Sequence, residues 1–174
     1  VHMELLHEIY EKDLSISQRD RSSRRSGSQF WFRRSVRAIV SNEMGKIALL
    51  YRQEDNYYML PGGGLAGGEA MEDTLLRKAE SELGVRIELQ DAIGLIIEYR
   101  DKQEFMQFSY AFAALSYGKS KKAADGEEPD DYAAVQWMYA TKAIQLMERN
   151  QSKSYAGTFV QERDLLFLKQ YMKL

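Results

Sequence analysis

The chain has 174 residues, 44% hydrophobic and 29% charged, with a net charge of −2 and no cysteine; this excludes disulfides, thiolate catalysis and cysteine-ligated zinc, and gives no general bias towards nucleic acid or anionic membrane. Its only histidines, His2 and His7, lie at the extreme N-terminus, so neither a Ser-His-Asp machine nor a histidine-rich metal site is expected. No apolar run approaches a membrane span and the N-terminus has no signal-peptide core, so the sequence predicts one cytoplasmic domain with a sizeable core and no membrane partner.

Glu4 to Tyr10 reads as a short edge strand. Residues 15–29 have almost no apolar content and read as a loop. Phe30 to Val40 alternates: Val36, Ala38 and Val40 share one face, and Ser35, Arg37 and Ile39 the other. Ser41 to Gly45 has the residues of a hairpin turn, and Lys46 to Tyr51 is the returning strand. Tyr57 to Leu60 is a brief aromatic strand that runs into Pro61-Gly62-Gly63-Gly64-Leu65-Ala66-Gly67-Gly68-Glu69. Five glycines in seven positions predict a sharply folded loop with exposed backbone groups. A helix follows, because Met71, Leu75, Leu76, Ala79 and Leu83 recur at three- and four-residue spacing. Glu69, Glu72 and Asp73 crowd its start, where the macrodipole favours negative charge, and Gly84 stands where a C′ glycine would end it.

Beyond the helix, Arg86 to Tyr99 predicts one or two strands with a bulge at Gly94. In Phe105 to Leu115, Met106, Phe108, Tyr110 and Phe112 face one way; this strand is open to a core role or to a homodimer interface. Gly118 to Asp131 is a polar loop, and Ala134 to Tyr139 a last strand carrying Trp137. Thr141 is placed to cap a helix through Met147, and Asp164 to Met172 predicts a terminal helix. Strands, helix, strands and two helices suit a mixed sheet covered by helices on both faces.

The spacing at the glycine-rich loop is specific: Gly63, five residues, Glu69, seven residues, Arg77, then Glu82, Leu83, Gly84 and Val85. This resembles the Nudix box. Gly63, Glu69, Arg77, Ala79, Glu82, Gly84 and Val85 match it, whereas Lys78 and Ser81 replace glutamates. The resemblance reaches from about Val36 onward and implies an α/β fold, the Nudix-type α/β/α sandwich with a mixed β-sheet. On that reading residues 1–174 form a single Nudix-like domain, with 1–35 an N-terminal extension that includes a basic loop.

Members of the Nudix family typically hydrolyse a nucleoside diphosphate linked to another moiety. The resemblance implies Mg²⁺ or Mn²⁺ held by three glutamates of the box helix and a carbonyl of the Gly loop, with a later acid as base or ligand. Here the three helix positions are Lys78, Ser81 and Glu82, which a regular helix sets on one face at i, i+3 and i+4, with Glu80 pointing away. Their formal charge is −3 in the family pattern and zero in this chain (+1, 0 and −1). At ~4 Å and an effective dielectric near 20, each charge pair is worth about 4 kcal/mol before screening, so metal affinity should fall. Glu82 and the Gly63 carbonyl are then the metal-ligand candidates, Glu82 and Glu128 the catalytic ones, and Arg52 and Tyr58 the substrate-binding ones. Gly63, Glu69, Arg77 and Gly84 are expected to shape the motif, with Glu69 and Arg77 as an ion pair.

Two functions stand side by side on this reading. One is a Mg²⁺-dependent hydrolase of a nucleotide-type pyrophosphate, a small-molecule substrate, weakened by the substitutions. The other is a non-catalytic Nudix-fold module that binds a nucleotide or a protein, with Lys78 meeting phosphate in place of metal. Arg19, Arg21, Arg24, Arg25, Arg33, Arg34 and Arg37 give a local excess of +6 after Asp20 is subtracted. They read as a solvated loop and outer strand face, and nucleic acid is not the expected partner.

Overall fold

The computed structural model describes residues 2–16, 31–119 and 133–174. The strands are β1 (Leu5–Ile9), β2 (Trp31–Ser41), β3 (Ile47–Arg52), β4 (Tyr57–Met59), β5 (Gly62–Gly64), β6 (Val85–Arg100), β7 (Phe105–Lys119) and β8 (Ala133–Met138). The helices are α1 (Met71–Lys78), α2 (Ala140–Arg149) and α3 (Tyr155–Tyr171). The sheet runs β1-β6-β7-β2-β3-β4, with β5 added to β2 and β8 to β3. It is mixed: β1 is parallel to β6 and β2 to β7, and the remaining pairs are antiparallel.

Alternation along each strand divides the core in two. Val36, Ala38, Val40, Ala48 and Ala114 face α1 and pack on Leu75 and Ala79. Ile39, Leu49, Ile96 and Ala111 face the other way, beneath Met147 of α2 and Phe159, Phe167 and Leu168 of α3. Each fully buried Phe or Leu there contributes roughly 1.5–3 kcal/mol. The expected α/β/α layering is present. The Phe105–Leu115 stretch lies within a strand flanked on both sides, by β6 and β2, and Phe105, Gln107, Ser109 and Ala111 are buried.

Two local expectations need correction, and a third is narrowed to one of its alternatives. The helix expected from Asp164 begins nine residues earlier, at Tyr155. Ser154 caps it by accepting a hydrogen bond from Gly157 N at 3.0 Å. Its first half has no clean apolar stripe, because Gln161, Arg163 and Asp164 are themselves buried. Thr141 is not a cap: α2 starts at Ala140, with Ala143 N bonded to Tyr139 O at 3.1 Å. The stretch from Arg86 to Tyr99 is one strand of 16 residues, kept continuous by register shifts between Leu89 and Gly94. Gly94, at φ +157°, has the Leu6 side chain against its Cα, so the bulge needs glycine there.

The buried polar residues form one network. Arg163 is 0% exposed, and its Nη1 donates to Glu98 Oε1 at 2.7 Å while its Nε donates to Asp164 Oδ1 at 2.8 Å. Arg100 holds the second Glu98 oxygen at 2.6 Å. Ser109 and Ser35 hydroxyls meet at 2.7 Å, and Gln107 donates to both. Asp164 Oδ2 then accepts from Leu60 N at 2.8 Å. On the far side of that residue, Arg37 Nη1 donates to Leu60 O at 3.2 Å. Thus α3, β6, β7 and β2 are tied through polar groups to the residue that leads into the Gly loop.

Burial opposes the charge on Glu98, but Arg163 and Arg100 outweigh it and hold its pKa below the ordinary carboxylate value. A carboxyl depressed in the folded state adds stability above its unfolded pKa, near 4.3, and that stability is lost as pH falls. Arg163→Leu leaves Glu98 and Asp164 buried without this partner and should cost about 3–5 kcal/mol at neutral pH by urea denaturation. Glu98→Gln should also be less stable at neutral pH, with a shallower loss of stability below about pH 5 than the parent chain. A cost below about 1 kcal/mol for Arg163→Leu would remove the network from the stability account.

Candidate active site

Leu60 and Pro61 deliver the chain alongside β2. Pro61 O accepts from Ala38 N at 3.0 Å, and β5 pairs with Ser35, Val36 and Arg37. Gly62 sits at φ +139°, and a Cβ there would collide with the Val36 carbonyl oxygen. Only glycine fits so close to a neighbouring strand. Gly62 N donates to Glu82 Oε1 at 3.0 Å, which locks the loop entry to the far end of the box helix. Glu82 is 8% exposed.

Gly63 is open for a different reason. A Cβ on it would stand 2.9 Å from Lys78 Cε and 3.5 Å from Lys78 Nζ. The Lys78 chain therefore rests on the loop, at the carbonyl-bearing residue that the Nudix resemblance assigns to a metal. Ser81 is exposed, and its hydroxyl donates to Lys78 O at 3.4 Å. Lys78 and Glu82 thus lie on neighbouring loop residues, Gly63 and Gly62.

The helix that carries them is not regular to its end. α1 gives way to a π turn over Ala79–Leu83, closed by Gly84 at φ +67°. The wider turn replaces the i, i+3, i+4 geometry expected for positions 78, 81 and 82. Ala79 and Leu83 still meet the α1-facing core, and Leu83 also packs against Leu50, Tyr57 and Met59.

The loop is tied to the helix start by the expected ion pair. Arg77 Nη2 reaches the two Glu69 oxygens at 3.1 and 3.3 Å, and Arg77 Nε reaches Oε1 at 3.3 Å. Partial burial of Glu69 opposes ionisation, but hydrogen bonds from Arg77 and Thr74 more than offset it, so its pKa lies below the ordinary value. The pair is exposed on the arginine side and shapes the loop rather than its core.

The two substrate-binding candidates fall on opposite faces of the sheet. Arg52 alternates with Ala48 and Leu50 on the α1 side, and its buried Nε has no hydrogen-bond partner among the described residues. The Tyr58 ring lies 4.8 Å from that of Tyr51, tilted by 38°, and packs on the core beneath α2 and α3. Glu128 lies outside the described residues, as do Arg19, Arg21, Arg24 and Arg25. Arg33 and Arg34 lie over the Phe105 and Tyr110 rings, at 5.1 and 5.5 Å. Arg37 is not on a solvated outer face: it is half-buried on the α3 side between Leu60 O and the charges of Glu82, Glu98 and Asp164. Burial, reinforced by Arg163, lowers its pKa to about 10, with those three carboxylates opposing the shift. It remains cationic at neutral pH, and its Nε carries no hydrogen-bond partner among the described groups. The sequence offered one signal for Arg37, its alternation with Ile39, which is a core residue.

A divalent cation is what the Nudix resemblance implies here. The donors do not fit one. Among the described residues no three Asp, Glu or His side chains converge as a metal would need. Glu82 already accepts from the Gly62 amide, and an ammonium chain covers Gly63. Two cations, Lys78 and Arg37, flank the one box carboxylate.

The fold and the loop–helix unit define a class. The NUDIX domain family matches residues 31–158, and the chain belongs to that family. Among solved structures it is similar to a NUDIX hydrolase from Nitrosomonas europaea, with TM-score 0.62 and 13% identity over 82% of this chain and 90% of that one. It is also similar to the MutT protein from Methanosarcina mazei Go1, with TM-score 0.59 and 18% identity over 84% and 98%. An ADP-ribose pyrophosphatase from Streptococcus suis 89-1591 matches with TM-score 0.52 and 17% identity over 80% and 91%. At these identities the likeness is one of fold. No curated protein matches significantly. No helix among the described residues is long and apolar enough to cross a membrane.

The two loop glycines give a direct test of this geometry. Gly62→Ala should disrupt the β2–β5 pairing and cost roughly 2 kcal/mol or more in urea denaturation. Gly63→Ala meets only the end of a flexible side chain and should cost under about 1 kcal/mol while displacing Lys78. Equal costs would mean that Lys78 does not rest on Gly63.

Proposed function

We propose that this chain binds the diphosphate of a nucleotide-type small molecule at the Gly loop, and that it hydrolyses that pyrophosphate only slowly. The observation that carries this reading is the Lys78 side chain lying over Gly63. An ammonium there meets phosphoryl oxygens in place of a metal ion, through charge-assisted hydrogen bonds. Arg52, on the α1 side of the sheet and with an Nε unpartnered among the described residues, supplies a further cationic donor. Such cations bind and orient a diphosphate and neutralise charge on its oxygens. They do not generate a nucleophilic water, which is why turnover is low.

Family membership supports the reaction class, a pyrophosphohydrolase. Glu82 remains as the box carboxylate next to the loop, and Glu128 is the proposed late-loop base. Mg²⁺ or Mn²⁺ would have only Glu82 and loop carbonyl groups on this stretch, in competition with Lys78. Binding without any turnover is the second reading, and Lys78 on Gly63 favours it as well.

The test is turnover across nucleoside triphosphates, dinucleotides and nucleotide sugars with Mg²⁺ or Mn²⁺, read as phosphate or pyrophosphate release. The parent chain should be slow, and Lys78→Glu/Ser81→Glu should gain at least about 10-fold in rate, equivalent to roughly 1.4 kcal/mol. Robust turnover by the parent, with no gain in the double variant, would overturn the weakened site. Binding without release in either protein would establish the second reading.

A further inference from the structure

A hollow of about 520 Å³ lies on the outer side of the Gly loop, lined by Phe32, Arg33, Arg34 and residues 64–70. Neither Gly62, Gly63, Lys78 nor Glu82 takes part in its wall. It opens at the start of α1 and meets the Gly loop at Gly64, two residues from the Gly62 amide that holds Glu82. The volume falls in the range that holds small organic ligands, about 300–1,000 Å³.

Its chemistry is composed of three parts. Phe32 is 70% exposed, and Phe108 stacks on one side of its ring at 6.0 Å and 30°. The other side is left for a planar ligand. Arg34 shares the Phe32 face of β2 and is steadied by Tyr110, whereas Arg33 lies on the opposite face, over Phe105; among the described residues Arg34 pairs with no carboxylate. Glu69, the carboxylate in the wall, is already held by Arg77 at 3.1 Å. Among the described residues, then, no free carboxylate offsets the Arg34 charge in the hollow. The third part is the loop wall itself: a Cβ at Gly67 or Gly68 would meet nothing within 4 Å, so a ligand can lie against bare backbone. Register fixes the relation of these parts, since Leu65 N donates to Arg34 O at 2.9 Å.

We propose that this hollow is a second ligand site, and that it takes a nucleoside monophosphate: a planar base on Phe32 with its phosphate on Arg34. Free phosphate uses only the Arg34 guanidinium, and an uncharged nucleoside uses only the ring. A ligand that carries both parts uses the whole hollow. Arginine donates to phosphate oxygens in bidentate fashion, and a base stacked on one aromatic ring is worth roughly 10-fold or more in affinity.

The test is calorimetric titration of the whole chain, with chelator present, by AMP, GMP, CMP and UMP, by adenosine and by inorganic phosphate. At least one monophosphate should bind, and adenosine and phosphate should each bind at least about 10-fold more weakly. Phe32→Ala and Arg34→Gln should each weaken that binding by about 10-fold or more, with thermal midpoints close to the parent because both side chains reach solvent or a surface ring. In the parent chain, amide resonances of Gly67 and Gly68 should shift on titration, which reports the site even if a variant misfolds. Binding unchanged in both variants, binding abolished by Lys78→Ala, or no shift at Gly67 and Gly68 would overturn the site. The titration needs no turnover, so its failure is separate from failure of the Gly-loop reading.

Discussion

The structure depends on a guanidinium that has no access to water. Arg163 is held inside the protein by Glu98 and Asp164, and the same Asp164 takes the Leu60 amide. Burying these charges costs several kcal/mol per ion, and the pairing of Arg163 through Nη1 and Nε offsets that cost while its Nη2 has no hydrogen-bond partner among the described residues. That pairing constrains geometry. α3 cannot slide without exposing one of the carboxylates, and the strand end at Leu60 cannot move without leaving Asp164 short of a donor. Arg37 on the other side of Leu60 and Glu82 beyond Gly62 extend the constraint to the box helix. The Gly loop is thus fixed from below by ionic contacts rather than by apolar packing alone.

On that fixed platform the charge of the helix face has been neutralised. The resemblance leads one to expect a helix face of three carboxylates, matched to a metal. Instead one carboxylate is tied to the loop amide, with a lysine on the loop and a half-buried arginine close by. The backbone devices, Gly62 against Val36, Gly84 in the left-handed region and the Glu69–Arg77 pair, are those needed to build the motif whatever it binds. Shape and chemistry are separable here, because shape rests on glycines and one surface ion pair, and chemistry on positions 78, 81 and 82.

Much of the fold was legible because periodicity is local. The alternation of Val36, Ala38 and Val40 marked a face that does pack on α1, and the stripe from Met71 to Leu83 marked the helix that packs there. Gly84 ended that helix as its position required. What was missed has a common cause. Periodicity marks no element over the first half of α3, because Arg163 and Asp164 look like surface residues and their burial depends on partners 54 to 104 positions away in sequence. Arg37 was placed on a solvated face for the same reason. The π turn has no residue signature of its own; it arises where the helix must serve Gly62 with Glu82 while keeping Ala79 and Leu83 in the core. In the site, residue types at 78 and 81 announced the change of charge, but the resting place of the Lys78 chain on Gly63 needed the three-dimensional fold.

The central claim is that an ammonium group takes the place of a divalent cation at the Gly loop. Mn²⁺ binding followed by electron paramagnetic resonance tests it most directly, in the parent chain and in Lys78→Glu/Ser81→Glu. The account expects weak binding by the parent and affinity at least about 10-fold higher in the double variant, where two carboxylates join Glu82. Equally tight Mn²⁺ binding by both proteins would contradict it.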